Sequence, residues 1–90
     1  MWTPKQVVIV GGCGHVGLPL GLLFASHGLN VTLLDIDKAK VEKVNRGEMP
    51  FLEPGAPELL RQVVGKGLRA TLDEACLASA DGTEGDRDRR

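Results

Sequence analysis

The chain has 90 residues, a formal net charge of −1 and only 3% aromatic residues. This length allows at most one small domain. The near-neutral charge gives no general attraction to nucleic acid or to an anionic membrane, and so few aromatic side chains leave no platform on which single-stranded nucleic acid would stack. No apolar run approaches the roughly 18 residues that span a bilayer, and the N-terminus lacks a signal-peptide pattern. We therefore expect no nucleic-acid or membrane partner and a cytoplasmic location.

The first predicted element is an apolar strand that runs straight into a glycine turn. Gln6–Val10 contains a continuous run of Val and Ile, typical of a buried parallel strand, and a Gly-x-Gly-x-x-Gly pattern follows at Gly12–Gly17. In such a turn, Gly12 would allow the tight bend, Gly14 would let the backbone approach a pyrophosphate, and Gly17 would let the next helix pack closely on the strand. The pattern alone is weak, because glycine-rich turns also occur as plain structural turns.

An apolar helix is predicted from near Gly14 to about His27, with Gly28 as a left-handed stop. Its amino end would point free N–H groups and the positive end of its dipole at an anion over the turn. Pro19 should remove one helical hydrogen bond. The side expected to pack on the sheet is the stripe of Val16, Leu20, Leu23 and Phe24.

A second apolar run, Val31–Leu34, ends in Asp35, 18 residues after the last glycine of the turn. A dinucleotide-binding unit needs an acid about 20 residues on, at the tip of the second strand, to accept hydrogen bonds from the adenosine ribose. Asp35 would repel a 2′-phosphate, so NAD is favoured over NADP. Lys40 lies one helical turn past Asp35 and is a candidate to contact the adenine or the edge of the ribose. The predicted NAD-binding residues are Gly12, Cys13, Gly14, His15, Val16, Gly17, Asp35 and Lys40.

The remaining elements continue the alternation of strands and helices. Asp37 is a plausible N-cap for a helix through Arg46, which Gly47 would close. A loop with two prolines, Glu48–Ala56, leads to a helix that Pro57 would begin and that carries Leu59, Leu60, Val63 and Val64. A third strand is expected at Leu68–Thr71, and a capping box, Thr71-Leu72-Asp73-Glu74, would open a last helix through Ser79.

This order predicts an α/β fold: a partial Rossmann fold with three parallel strands, the first half of a doubly wound sheet with flanking helices. Residues 1–80 would form the N-terminal half of an NAD-binding domain, and the first five of these residues would be a short lead-in to the first strand. Residues 81–90 contain no large apolar side chain and are expected to be a disordered polar tail. Without a fourth strand, the first strand would be an exposed apolar edge.

Neither a metal site nor a reactive thiol is predicted. Cys13 and Cys76 fit a reducing compartment and are interpreted as small packing residues. Cys13, His15 and His27 do not match a zinc-binding spacing, and His27 is interpreted as a solvated residue at a helix end. No catalytic residue is assigned.

Five segments of the chain resemble the N-terminal NAD-binding domain of the UDP-glucose/GDP-mannose dehydrogenases, and the nearest subgroup is suggested to be the UDP-N-acetylmannosamine dehydrogenases. The likeness covers about Gln6–Ala80, and its Glu-Pro-Gly loop is far more specific than the glycine turn. Ala56 departs from the pattern, since a leucine is usual there. The segments are Gly12–Pro19, Leu34–Asp37, Val41–Gly47, Pro50–Gly55 and Leu68–Thr71.

The resemblance implies an enzyme that oxidises the primary alcohol of a nucleotide sugar to a carboxylate, using two NAD molecules in succession and a covalent intermediate on a catalytic cysteine. It also implies that the glycine turn holds the pyrophosphate, that Asp35 binds the adenosine ribose and that Lys40 lies near the adenine end. The family's catalytic cysteine, and the lysine and asparagine that assist it, would all follow residue 81, where the chain departs from the family pattern. A truncation or a shifted reading frame near Asp81 would explain that departure.

Three interpretations stay open at this point. The chain is the NAD-binding end of a nucleotide-sugar dehydrogenase, inactive by itself and meeting a UDP-sugar only in the full-length enzyme. Alternatively, it is a non-catalytic NAD or ADP-ribose-binding module, or a decayed gene fragment. An FAD-binding βαβ unit is a weaker third interpretation, because the Glu-Pro-Gly loop argues against it.

Overall fold

The computed structural model describes residues 6–79 and 82–85, so the expected lead-in, residues 80 and 81 and the last five residues lie outside it. Strands and helices alternate along most of the chain, and a short 3₁₀ helix, Glu74–Ser79, precedes the last strand. The elements are β1 (Gln6–Val10), α1 (Gly17–Ser26), β2 (Asn30–Leu34), α2 (Lys38–Asn45), α3 (Ala56–Val63), β3 (Leu68–Thr71) and β4 (Gly82–Gly85).

The strands form one parallel sheet in the order β3-β2-β1-β4. Val7 of β1 lies opposite Val31 of β2, which in turn lies opposite Leu68 of β3. The three predicted parallel strands with flanking helices are therefore confirmed. Completely buried side chains come from the strands, the α-helices and the turn after β1: Ile9, Cys13, Leu18, Leu33, Val44 and Leu60.

The sheet contains one strand more than the three expected. Gly82–Gly85 pairs in parallel with β1, so β1 lies inside the sheet and is not the apolar edge that the sequence suggested. Strand pairing satisfies backbone N–H and C=O groups and does not itself require apolar side chains, which is why a polar segment can occupy this place. The expected disordered tail thus differs from the structure at Gly82–Gly85.

Helix α1 packs on the sheet with only part of the predicted face: Leu20 and Phe24 are half-buried against the core, but the other two residues of the stripe are not. Val16 is 82% exposed and Leu23 is 51% exposed, whereas Leu18, Leu22 and Ala25 are buried. The helix is apolar almost all round, so hydrophobic periodicity could not select its inner face. Glycine selects it instead: a Cβ at Gly21 would lie 2.7 Å from Leu33 Cδ2, so this side of the helix must face β2.

Pro19 sets the position at which α1 begins. The Leu18 amide donates to the Gly14 carbonyl and the Leu20 amide to the Val16 carbonyl, at 3.1 and 3.3 Å. Pro19, between them, has no N–H, so one helical hydrogen bond is missing as predicted. For this reason continuous helix begins at Gly17 and not near Gly14.

The ends of the helices follow the predicted chemistry in most places. Asp37 caps α2 by accepting from the Lys40 amide at 3.2 Å, and Gly28 and Gly47 have the positive φ of left-handed stops, 91° and 83°. The last helix differs, because Thr71 does not form the predicted capping box. Its hydroxyl accepts from the Asp73 amide, and the Asp73 carboxylate accepts from the Ala75 amide.

One side chain completes the outer edge of the sheet. The Asn45 amide nitrogen donates to the Ala70 carbonyl, and its oxygen accepts from the Ala70 amide, both at 2.8 Å. Asn45 lies at the end of α2 and Ala70 on β3, the edge strand. The pair reproduces the hydrogen bonds that another strand would make, so this part of the edge is closed to such pairing.

Candidate functional site

The turn between β1 and α1 is held against the end of β2. The Gly11 and Gly12 amides both donate to the Leu34 carbonyl, at 2.8 and 3.1 Å, and the Gly14 amide donates to the Gly11 carbonyl. The residue of the turn with a left-handed φ is Gly11, at 74°, whereas Gly12, to which the sequence pattern assigned the tight bend, has no positive φ. The tight bend therefore precedes the first glycine of the Gly-x-Gly-x-x-Gly pattern.

Gly12 and Gly17 are required by close packing. A Cβ at Gly12 would lie 2.6 Å from Leu33 Cβ, and a Cβ at Gly17 would lie 2.7 Å from the Gly11 carbonyl oxygen. Neither distance is tolerated by a real side chain. Gly17 thus has the predicted role, close contact between helix and turn, while Gly12 is needed because the turn presses on β2.

Gly14 differs from both of its neighbours in the pattern. A Cβ there would meet only the Gly11 carbonyl oxygen, at 3.4 Å, and the residue does not adopt a left-handed φ. Neither the packing nor the backbone conformation of this turn demands a glycine. A small residue at this position leaves the backbone open to close approach from outside.

Unused hydrogen-bond donors lie beside this opening. Among the described residues, the amides of His15, Val16 and Gly17 donate to no acceptor. They form the amino end of α1, where the helix dipole places partial positive charge. This arrangement suits an anion with several oxygens, such as a phosphate.

Asp35 follows β2 and lies at the same turn. One of its carboxylate oxygens accepts from the Cys13 amide at 2.9 Å, and the other accepts from the Asp37 amide at 3.0 Å. Because the strands are parallel, the ends of β1 and β2 meet at one edge of the sheet. The structure thus brings together the glycine turn and the acid, 22 residues apart in sequence.

Lys40 lies in the first turn of α2, near the same place. Its charge is close enough to act on the Cys13 thiol, whose pKa it lowers in part. In the part of the chain that the structure describes, Lys40 forms no ion pair. The ammonium group is therefore available beside Asp35 and the turn.

Cys13 is a packing residue. Its side chain is completely buried, and burial, together with the nearby Asp35 carboxylate, raises the pKa of the thiol to about 12. A neutral buried thiol is a poor nucleophile. Burial also raises the pKa of Cys76. No group of His, Cys, Asp and Glu suited to a metal ion occurs within residues 6–79 and 82–85.

Two features of this edge were not predicted from the sequence. The rings of His15 and Phe51 stack with their centroids 4.1 Å apart and an interplanar angle of 23°. Three large apolar side chains are also strongly exposed: Val16 before α1, Ile36 after Asp35 and Leu52 in the loop after Phe51, at 82%, 96% and 96%. The loop motif at Pro50–Gly55 indicated the family resemblance, but nothing in the sequence showed which residue it would contact.

Comparison with known proteins identifies the family. The profile of the UDP-glucose/GDP-mannose dehydrogenase family, NAD binding domain, matches residues 5–81. The chain is 39% identical over 72 residues to the UDP-glucose 6-dehydrogenase AglM of Haloferax volcanii, covering 80% of this chain and 17% of that protein. It is 40% identical over 65 residues to a UDP-N-acetyl-D-mannosamine dehydrogenase of Campylobacter jejuni, covering 71% of this chain and 16% of that protein.

Solved structures agree with these sequence matches. A GDP-mannose dehydrogenase from Pseudomonas aeruginosa superposes with a TM-score of 0.83 at 26% identity, covering 90% of this chain and 19% of that one. A UDP-glucose dehydrogenase from Pyrobaculum islandicum gives 0.84 at 26% identity, covering 91% and 19%. The chain thus spans less than a fifth of the length of these relatives.

None of the described helices has both the length and the apolar character needed to cross a membrane. The residues that the family profile matches include the glycine turn, Asp35 and strands β1 to β3. The chain therefore belongs to the UDP-glucose/GDP-mannose dehydrogenase family and represents its NAD binding domain.

Proposed function

We propose that the chain binds NAD with the pyrophosphate over the amino end of α1 and the adenosine ribose at Asp35. The observation that carries this proposal is the open space at Gly14 next to the amides of His15, Val16 and Gly17, which donate to no described residue. A diphosphate placed there would accept hydrogen bonds that the fold leaves unused. The positive end of the helix dipole adds to the attraction.

Asp35 is the proposed ribose ligand. Each of its carboxylate oxygens already accepts one backbone amide, which fixes the direction of the group. A carboxylate oxygen has a second lone pair, so each can also accept from a ribose hydroxyl. A 2′-phosphate would instead bring negative charge against this carboxylate. The proposed preference is therefore for NAD over NADP.

The adenine end is assigned to Lys40 and to the apolar side chain that follows Asp35. Ile36 is 96% exposed at the carboxyl edge of the sheet, where a flat apolar base would cover it. Exposed apolar groups beside a few polar ones are typical of nucleotide-sized sites. Cys13 would contribute its backbone only, since its side chain is completely buried.

For the whole protein we propose oxidation of the primary alcohol of a UDP-sugar to the carboxylate, with NAD as acceptor. The names of the relatives support this, as they are UDP-glucose, UDP-N-acetylmannosamine and GDP-mannose dehydrogenases. We further propose that the chain alone does not turn over substrate, and that the reaction takes place in the cytoplasm. A purely non-catalytic module is not favoured, because the family profile extends over residues 5–81.

The test is a calorimetric titration of the purified chain with NAD, NADP and ADP-ribose. We expect NAD and ADP-ribose to bind and NADP to bind at least about tenfold more weakly, a difference of ~1.4 kcal/mol. Gly14→Ala should weaken NAD binding by at least about tenfold while leaving the fold intact. Gly67→Ala is the matched control, since that glycine lies in a different turn, also without a left-handed φ.

Failure of the wild-type chain to bind any of the three ligands would contradict the proposed function. Equal affinity for NAD in wild type and Gly14→Ala would contradict the placement of the pyrophosphate. NADP binding as tightly as NAD would exclude the assigned role of Asp35.

A further inference from the structure

We propose that Phe51 is a positioning residue for the nucleotide site: its ring, stacked on His15, holds the amide donors of the glycine turn in place. The inference rests on the proposed function and adds a residue from the loop between α2 and α3 to that site. Phe51 itself need not touch the nucleotide.

The backbone of His15 is weakly restrained by hydrogen bonds to the described residues. Among the described residues its amide donates to no acceptor. Its carbonyl lacks the helical donor that would come four residues later, because that residue is Pro19. Within residues 6–79 and 82–85, the ring contact with Phe51, with centroids 4.1 Å apart, is therefore the specific interaction that restrains this residue.

Phe51 is the anchored partner in this contact. The His15 residue is exposed, whereas Phe51 is half-buried and packs against the hydrophobic core. An offset or nearly parallel pair of aromatic rings gains energy beyond the area that it buries. The restraint thus passes from the core through Phe51 to the exposed His15.

The path of the chain explains why this loop reaches the turn. Helix α3 packs against α1, and the loop that precedes α3 contains Phe51. The loop then closes with a hydrogen bond from the Ala56 amide to the Glu53 carbonyl, at 3.0 Å, before α3 begins. Residues just before α3 are in this way brought to the amino end of α1.

Restraint of His15 matters for binding because a phosphate needs its donors already in position. Ordering a mobile segment on binding reduces affinity. Loss of an aromatic pair corresponds to about a three- to tenfold change in an equilibrium constant. We therefore expect removal of the Phe51 ring to weaken NAD binding by about that factor.

The experiment compares variants of Phe51 that separate the effect of ring stacking from the effect of apolar packing in the core. Phe51→Leu keeps an apolar side chain in the core but cannot stack, and Phe51→Tyr keeps the ring. Leu52→Ala is the matched control, since Leu52 is the next residue of the loop and is 96% exposed. NAD affinity is measured by calorimetry, the free energy of unfolding by urea titration, and the order of the His15 amide by ¹⁵N relaxation without nucleotide.

We expect Phe51→Leu to bind NAD about three- to tenfold more weakly and to show a more mobile His15 amide. Phe51→Tyr and Leu52→Ala should match wild type in both respects. Wild-type affinity and wild-type order of the His15 amide in a folded Phe51→Leu protein would overturn the proposal. So would a Phe51→Tyr variant as impaired as Phe51→Leu.

The two proposals fail in different ways. If the wild-type chain binds no NAD, the proposed function is wrong, and the relaxation of the His15 amide still reports whether Phe51 positions it. If NAD binds equally to wild type and Phe51→Leu, only the role of Phe51 is wrong.

Discussion

Two glycine-rich turns of this small domain show how differently similar sequences can be used. The turn at residues 64–67, before β3, satisfies its own donors: the Gly65 amide donates to Leu68, and the Lys66 and Gly67 amides both donate to Val63. In the turn before α1, the last three amides donate to no described residue. The two turns are therefore alike in glycine content but differ in the hydrogen bonding of their amides.

The two turns also lie at opposite ends of the sheet. The turn before α1 follows β1, at the carboxyl edge, whereas the turn at residues 64–67 leads into β3, at the amino edge. In open parallel sheets, ligands bind at the carboxyl edge, beside the strands where the order of the sheet reverses. The structure places Asp35, Ile36 and the glycine turn at that edge.

The largest effect is expected for Gly17→Ala. Its Cβ would lie 2.7 Å from the Gly11 carbonyl oxygen and 2.9 Å from Gly12 Cα, both backbone atoms that cannot move aside. We expect a loss of about 3 kcal/mol or more in the free energy of unfolding, measured by urea titration. Gly67→Ala, in the other turn, should lose much less, because its Cβ would be 3.3 Å from the Leu29 carbonyl oxygen. Equal losses would show that the turn before α1 is not the more tightly packed one.

Asp35→Ala is expected to affect both stability and binding. It leaves the Cys13 and Asp37 amides without their acceptor, which should cost roughly 1–3 kcal/mol of unfolding free energy. NAD affinity should fall at least about tenfold, because the ribose ligand is lost. Asp73→Ala is the control, since Asp73 also accepts a backbone amide but at the exposed start of the 3₁₀ helix. If Asp73→Ala weakened NAD binding as much, the assignment of Asp35 would be wrong.

Asn45→Ala is expected to act on the outer edge of the sheet alone. Loss of its two hydrogen bonds to Ala70 should cost roughly 1–2 kcal/mol of unfolding free energy and speed hydrogen exchange at the Ala70 amide. NAD affinity should stay unchanged, since the Asn45 side chain bonds only to Ala70 among the described residues and touches no residue of the proposed site. Unaltered exchange at Ala70 would show that Asn45 does not protect this edge.

The effect that is smallest at neutral pH is expected from the thiol of Cys13. Its folded pKa is about 12 and its ordinary value is 9.0, so above pH 9 the unfolded chain loses the thiol proton before the folded one does. The stability that the buried neutral thiol provides is complete below pH 9 and is lost as pH rises from there to about 12, by at most ~1.4 kcal/mol per pH unit. The difference in unfolding free energy between wild type and Cys13→Ala, followed with pH, measures this contribution. A difference that stays constant from pH 8 to 11 would contradict it.

The sequence predicted the framework of the site because that framework depends on local patterns. The apolar run before the glycines, the acid after the second strand and the Asp37 cap each act within a few residues, and the structure has all three. Asp35 lies at the turn because parallel strands end at one edge. These features follow from spacing and backbone geometry.

The structure differs from the sequence-based predictions where contacts between residues distant in sequence determine the conformation. The inner face of α1 is set by the fit of Gly21 against Leu33, which periodicity in an all-apolar helix does not reveal. The contact of His15 with Phe51 and the hydrogen bonds of Asn45 with Ala70 join segments 36 and 25 residues apart. Strand β4 pairs through its backbone, so its polar composition concealed it.

The most direct measurement is a titration of the ¹⁵N-labelled chain with NAD, followed by amide resonances in both turns. We expect the amide resonances of His15, Val16 and Gly17 to shift as NAD binds, and those of Gly65, Lys66 and Gly67 to stay unchanged. If NAD bound without shifting the resonances of the first three amides, or shifted those of the second three instead, the proposed position of the pyrophosphate would be contradicted.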